Sequence, residues 1–302
     1  MPDVRTFGSG TERPRAIAAG FGGAGCNTLR AIPPTPGLDL LAVNDLPHPS
    51  MAGVKRRLFL DKAGLRELAA MDEHAVKDLV TTAEQALAVE LADADLAVPI
   101  AGLGGEMGSW GASLCARVAA LKGATTLAVV NTPFSAEGTN RRTVAAEALK
   151  VLRTHAHGVL VLPNDPLLRV APRLPIQRAF EVMSQLAVQP VLDLLRVLTR
   201  DDLPLLKSVL RSAQEWCLGI GEGNAHQPEF AAVEAAFHSP WIARAAETAE
   251  EVILLLGAPQ LDERTRKQVL WEVDVRAPRA SVTWGAFTEP GEVMRATVLL
   301  GF

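Results

Sequence analysis

Cysteine is scarce in this chain: Cys26, Cys115 and Cys217 stand far apart and are odd in number. That excludes a disulfide framework and a cysteine-based zinc site, and it fits free thiols in a reducing compartment. The 6 histidines show no metal-ligand spacing, so no metal centre is expected and each reads as a surface or core side chain. Tyrosine is absent altogether, and nothing follows from that. No basic tract stands out, and the formal net charge is −4. Neither nucleic acid nor direct membrane contact is therefore expected. No apolar run approaches a membrane span. Met1-Pro2-Asp3-Val4-Arg5 carries no apolar signal-peptide core. The expected location is cytoplasmic.

What is present is the balance of a globular protein. The 302 residues, 48% hydrophobic and 21% charged, can bury a large core and suggest about two domains. The stretch 16–30 organises the rest. Ala16-Ile17-Ala18-Ala19 suits a short buried strand, Gly20-Phe21-Gly22-Gly23-Ala24-Gly25 a tight turn, and Cys26-Asn27-Thr28-Leu29-Arg30 a helix start. Strand, glycine turn and helix start present bare backbone N–H groups to a phosphate. Glycines let the chain turn tightly and an anion approach. Gly20, Gly22 and Gly25 also satisfy the dinucleotide pattern G-x-G-x-x-G. Alone this loop does not separate a dinucleotide site, a mononucleotide site and a turn that binds nothing. A second loop narrows the choice. Residues 94–100 are strand-like and run into Ala101-Gly102-Leu103-Gly104-Gly105-Glu106-Met107-Gly108-Ser109-Trp110-Gly111, then a helical run through Ala119. A dinucleotide oxidoreductase needs one such loop; a nucleotide clamped between two loops needs both.

Along the chain, residues 1–13 are polar and read as a disordered arm. Residues 38–43 form a second strand ending at Asn44-Asp45, 57–60 a short strand, and 72–91 an amphipathic helix with Val76, Leu79, Val80, Ala83 and Leu87 on one face. Strands at 125–130 and 158–162 flank a helix at 141–154. This alternation implies an α/β fold with a doubly wound, mostly parallel sheet, whose ligands sit at the carboxyl ends of the strands. Pro175 opens a long helical pattern to 199, in which Pro190 should produce a kink. Beyond it lie a helix (203–213), a strand (216–220), a Gly221-Glu222-Gly223-Asn224 turn and a helix (229–237). A strand (251–256), a helix (262–270) and strands at 281–286 and 295–300 complete a smaller mixed α/β domain.

In this order the loops resemble those of the FtsZ/tubulin superfamily, its archaeal FtsZ and CetZ branches in particular. The GGxGxN-type first loop corresponds to Gly22-Gly23-Ala24-Gly25-Cys26-Asn27, and the Asn after the second strand to Asn44-Asp45. The GGGTGTG signature corresponds to Gly104-Gly105-Glu106-Met107-Gly108-Ser109-Trp110 and the PFxxEGxxR ribose loop to the segment from Pro133 to Arg141. The PNDxLL loop corresponds to Pro163-Asn164-Asp165-Pro166-Leu167-Leu168. The resemblance spans 15–302. It implies a nucleotide-binding domain (14–175), a central helix (176–200) and an activation-like domain (201–302). It also implies a GTP or GDP site, with Mg²⁺, built from Gly22, Gly23, Ala24, Asn27, Asn44, Gly104, Gly105, Glu106, Met107, Gly108, Ser109, Pro133, Glu137, Arg141, Phe180 and Ser184. Asn27 would meet a base edge, Glu137 a ribose hydroxyl, and Phe180 would pack near guanine. Read without the resemblance, Asn27 is a helix cap and Glu137 with Arg141 a surface pair.

The chain also departs from the family pattern. Glu106 stands where the family has a third Gly, Met107 where it has Thr, and Trp110 where it has Gly. A carboxylate in a phosphate cradle repels phosphate unless a cation bridges them. After the central helix the family's NxDxxD supplies acids in trans to the next subunit's nucleotide. Here the segment is Arg200-Asp201-Asp202-Leu203-Pro204-Leu205, with Asp202 as the candidate catalytic acid and Leu205 in place of the second. Asp201 or Asp202 is alternatively the cap of a helix starting at Leu203. Asp61-Lys62-Ala63-Gly64 replaces a Gly-Ala-Gly segment that in the family senses the γ-phosphate. No linker or adaptor-binding tail is expected after Phe302. The expectation is a guanine-nucleotide-binding cytoskeletal protein that associates head to tail with itself or a related FtsZ-like protein and hydrolyses GTP weakly or not at all, with a role in division or cell shape. The alternatives are a nucleotide-free structural protein that kept the fold and, less favoured, a Rossmann-type NAD enzyme.

Overall fold

The computed structural model describes residues 4–71, 81–224 and 230–302. The chain divides into two compact units, Pro14–Val188 on one hand and Met1–Arg13 with Gln189–Phe302 on the other. Strand β1 (Val4–Thr6) opens the second of these.

The unit Pro14–Val188 contains β2 (Ala16–Phe21), α1 (Gly22–Leu29), β3 (Leu38–Asn44), β4 (Arg56–Phe59), α2 (Leu65–Ala69), α3 (Thr82–Glu90) and β5 (Leu96–Gly102). A π-type turn (Met107–Gly111) leads into α4 (Ala112–Leu121), followed by β6 (Thr125–Thr132), α5 (Thr139–His155), β7 (Gly158–Pro163) and α6 (Asp165–Val170). Its strands lie in the order β7-β6-β5-β2-β3-β4, all pairs parallel. Every residue of β2 is buried, as expected of a strand covered on both faces. The apolar core gathers Ile17, Leu41, Ile100, Leu114, Val118, Ala128 and Leu152 with their neighbours. Within the expected helix at 72–91, Val76, Leu79 and Val80 lie outside the described residues. The described part, α3, is started by a reciprocal capping box between Thr81 and Glu84. Glu84 also forms a fully buried ion pair with Arg117, which ties α3 to α4.

Helix α7 (Ile176–Val197) runs as one element through Pro190, and the division between the units falls within it. The second unit continues with α8 (Leu203–Arg211), β8 (Trp216–Asn224), α9 (Ala231–Phe237), β9 (Glu251–Ala258), α10 (Glu263–Arg276), β10 (Ser281–Thr288) and β11 (Val293–Gly301). Strands β1, β10 and β9 pair in parallel, while β11 is antiparallel to both β9 and β8. Its core is formed by Val233, Val252, Leu254, Val269, Val273, Val298 and Leu300, among others. Among the described residues no helix is long and apolar enough to cross a membrane.

Two expectations are corrected. Residues 4–13 are not a disordered arm: β1 adds to the edge of β10, and the Phe7 N–H donates to the Trp284 carbonyl at 2.8 Å. The gain in ladder bonds and the burial of Phe7 outweigh the polar composition that suggested disorder. The segment Gly221-Glu222-Gly223-Asn224 is not a turn but the second half of β8. Its glycines serve packing. A Cβ on Gly221 would lie 2.2 Å from the Ala232 carbonyl oxygen, so only glycine lets α9 sit this close to the strand.

Candidate functional site

The unit Pro14–Val188 holds a cavity of about 650 Å³ at the carboxyl ends of its strands, a size that suits a ligand of nucleotide dimensions. Its floor is built by the two glycine loops. After β2 the chain turns at Gly22, whose φ of 67° admits no side chain without strain, and enters α1 directly. No side chain caps this helix. Gly22, Gly23 and Ala24 line the cavity, and no cap side chain supplies a partner to the first N–H groups of the helix. The loop after β5 turns at Gly104, with φ 102° and its N–H donating to the Ser109 hydroxyl at 2.9 Å. Ser109 is buried and in turn accepts from the Ser113 hydroxyl through its carbonyl.

Every expected ligand-binding residue except Gly104 and Ser109 lines this cavity: Gly22, Gly23, Ala24, Asn27, Asn44, Gly105, Glu106, Met107, Gly108, Pro133, Glu137, Arg141, Phe180 and Ser184. Gly104 and Ser109 are not part of that lining; Ser109 is fully buried and tied to Gly104 by the bond just described. Asn27 lies in the body of α1, not at its start, so it does not cap the helix. Its side chain is exposed toward the cavity. Glu137 accepts from the Phe134 N–H at 2.8 Å through one oxygen and from Arg141 at 2.7 Å through the other. Phe134 and Phe180 pack in a T-shaped pair with ring centroids 5.9 Å apart. The Thr28 hydroxyl donates to Ser184 Oγ at 3.2 Å, fixing α7 against α1.

The departures in the second loop have three different destinations. Met107 belongs to the apolar core and is 6% exposed while also contributing to the cavity lining. Trp110 is buried, with the Arg66 guanidinium of α2 lying 5.4 Å from its ring centroid. Glu106 is exposed and faces the cavity.

Asp45, Lys62, Asn131, Asn164, Thr28 and Met183 also line the cavity, though sequence reasoning did not commit to them. Asn164 had a signal in the PNDxLL resemblance. Lys62 lies in the segment 61–64 that the resemblance aligned with a γ-phosphate-sensing loop, but its departure from the Gly-Ala-Gly pattern left it outside the expected site. Its ammonium donates to Asp45 Oδ2 at 2.8 Å; this bond holds the Asp45 carboxyl below its usual range and raises Lys62. Among the described residues no group of three or more His, Cys, Asp or Glu side chains is placed to hold a metal ion. Cys26, behind the first loop, is pushed up to about 11 by burial and is not a reactive thiolate.

Asp202 lies in the other unit and is only 2% exposed. Its Oδ1 accepts from the Ser9 N–H at 3.3 Å and the Ser9 hydroxyl at 2.7 Å. Its Oδ2 accepts from the Gly8 N–H at 2.9 Å, the Thr199 N–H at 2.8 Å and the Thr199 hydroxyl at 2.6 Å. Those five donors occupy the lone pairs of one carboxylate. The expectation that Asp202 caps the helix beginning at Leu203 is also corrected. Its side chain makes no cap bond to α8 and reaches back to Thr199 and the amino-terminal segment.

Residues 38–172 match the family model described as Tubulin/FtsZ family, GTPase domain. The "Cell division protein FtsZ 1" of Pyrococcus furiosus is 31% identical over 286 residues, 91% of this chain and 77% of that protein. Among solved structures, the "FtsZ dimer, empty" of M. jannaschii superposes with a TM-score of 0.79 at 24% identity, covering 96% of this chain and 88% of that one. CetZ2 from Haloferax volcanii, solved as a GTPγS-bound protofilament, gives a TM-score of 0.74 at 19% identity, with 95% and 92% covered.

Proposed function

The chain belongs to the tubulin/FtsZ family, and from that premise we propose that it is a cytoskeletal protein that binds a guanine nucleotide and associates head to tail with its own copies or a related FtsZ-like chain, with weak or absent hydrolysis. The observation that carries the reading is that two strand–glycine–helix loops wall one shared cavity, with Glu137 and Arg141 at one side. Backbone N–H groups at α1 suit phosphates, the Glu137 carboxylate suits ribose hydroxyls, and Asn27 with Phe180 suits a base. CetZ2 was solved as a protofilament with a GTP analogue, and the same kind of assembly is proposed here. Mg²⁺ would accompany the phosphates, where Asp45 and Glu106 offer oxygen ligands.

Weak hydrolysis is part of the reading for a chemical reason. Attack on a terminal phosphate needs a water and a group to orient it. In the loop after α7 the Asp202 carboxylate is taken up by five donors and Leu205 is a hydrocarbon. A second reading, the fold without the nucleotide, is favoured by Glu106. The lining then carries three carboxylates, Asp45, Glu106 and Glu137, against Lys62 and Arg141, which opposes a polyanion.

Calorimetric titration of GTP, GDP, ATP and NAD, with Asn27→Ala alongside, separates the readings. The first expects preference for the guanine nucleotides and a loss of about 1–3 kcal/mol in the Asn27 variant, where a base edge is left unpaired. Equal affinity for all four ligands, or none for guanine nucleotides, refutes it.

A further inference from the structure

Two neighbouring strand ends are tied together beside Glu137. Strands β6 and β7 lie in parallel register, with Thr132 against Pro163. Their carboxyl ends run on into the loop 133–138 and into α6. Pro133 and Glu137 of the first loop and Asn164 of the second line the cavity. Ser135 and Asp165 are not part of that lining, yet they join the two loops. The Asp165 carboxylate accepts from the Ser135 N–H at 2.8 Å through one oxygen and from the Ser135 hydroxyl through the other.

That clamp grips the start of the turn that carries Glu137, since Ser135–Glu137 form one short helical turn. Each Glu137 oxygen accepts one donor, the Phe134 N–H on one and Arg141 on the other. Each therefore keeps a lone pair for a further donor. Two such lone pairs on one carboxylate match the two hydroxyls of a ribose diol, provided that the carboxylate is held still. Beyond the turn the chain passes through Gly138, at φ 99° and with open space where a Cβ would lie. The turn is thus braced from its first residue, by Asp165. Asp165 stands on firm ground itself, because the preceding Asn164 N–H donates to the Thr132 carbonyl at 3.2 Å. We propose that Asp165 is a positioning residue for the sugar: through Ser135 it sets the Glu137 carboxylate and so makes the cavity selective for nucleotides with an intact ribose diol. The inference rests on the nucleotide reading above, with the sugar at Glu137. Asp165 touches no ligand in this assignment.

The test is calorimetric titration with GTP and 2′,3′-dideoxy-GTP on wild-type protein, Asp165→Ala, Asp165→Asn, Glu137→Ala and the double variant Asp165→Ala/Glu137→Ala. The wild type should bind GTP about tenfold more tightly than the dideoxy analogue. Asp165→Ala should lose most of that ratio, with GTP weakened about fivefold and the analogue changed less than about twofold. Asp165→Asn should restore the ratio, because its carbonyl still accepts from the Ser135 N–H. Glu137→Ala should abolish the ratio, and adding Asp165→Ala to it should weaken GTP no further. An unchanged ratio in Asp165→Ala overturns the assignment while nucleotide binding stands. So does an equal loss for both ligands in that variant, or an additive loss in the double variant; either makes the clamp a structural tie. A wild type that binds both ligands equally overturns this inference alone. A wild type that binds neither overturns the nucleotide reading and this inference together.

Discussion

Replacing Asp202 by alanine removes one carboxylate and strands five donors, among them the backbone N–H groups of Gly8, Ser9 and Thr199, whose bonds to it are part-buried. The size of the effect follows from the carboxyl itself. Burial pushes its pKa up, but the bonds from Ser9, Thr199 and Gly8 outweigh that and hold it at about 2, against an ordinary 3.8. At about 1.4 kcal/mol per pH unit, the folded state gains roughly 2–3 kcal/mol from keeping Asp202 ionised. The sign is that of a depressed acid. The contribution is complete above about pH 4, and it is lost as pH falls through about 2. Urea unfolding followed by tryptophan fluorescence, at pH 7 and at steps down to about pH 2, should show Asp202→Ala less stable by roughly 2–3 kcal/mol at neutral pH. The wild-type and variant curves should converge as pH falls below about 3. The amino-terminal segment should also become open to proteolysis in the variant, since Gly8, Ser9 and Gly10 hold to the residues 199–202 through this carboxylate and Thr199. Unchanged stability together with a collapse of GTP turnover would refute the reasoning and return Asp202 to a catalytic role.

Three further outcomes are expected. Glu106→Gly should raise nucleotide affinity and weaken its dependence on Mg²⁺, read by titration with and without chelator; no change would mean that the carboxylate turns away from the phosphates. Phosphate release measured at several protein concentrations should stay far below that of a polymerising FtsZ under matched conditions. A robust rate that climbs with concentration would count against weak hydrolysis. Gly221→Val should cost at least about 2–3 kcal/mol or prevent folding of its unit, because its Cβ would sit 2.2 Å from the Ala232 carbonyl oxygen and 2.3 Å from the Ala236 N–H. A folded, equally stable variant would show that α9 can shift outward at no cost.

The order of strands, glycine loops and helices in 14–188 was legible in the residues, because strand runs buried on both faces are continuous in sequence and glycine turns punctuate them. The loops after β2, β5 and β6 were expected to wall one site because their motifs, in this order, resemble those of the FtsZ/tubulin superfamily. Local sequence could not say where individual side chains in those loops point. Met107 and Glu106 are neighbours in the chain, yet one joins the core and the other faces the cavity. Ser109 looks like a ligand in sequence but turns inward to hold Gly104. The decisions that needed the tertiary structure were those made between distant segments. Residues 8–10 look like a free arm until Asp202, almost two hundred positions away, supplies the acceptor that orders them. Nothing in the sequence around Lys62 names a partner for it; the pairing of β3 with β4 sets it against Asp45. Periodicity and turn chemistry act over a few residues and are written in the chain. Charge pairing and saturation of a buried carboxylate depend on which segments meet, and only folding decides that.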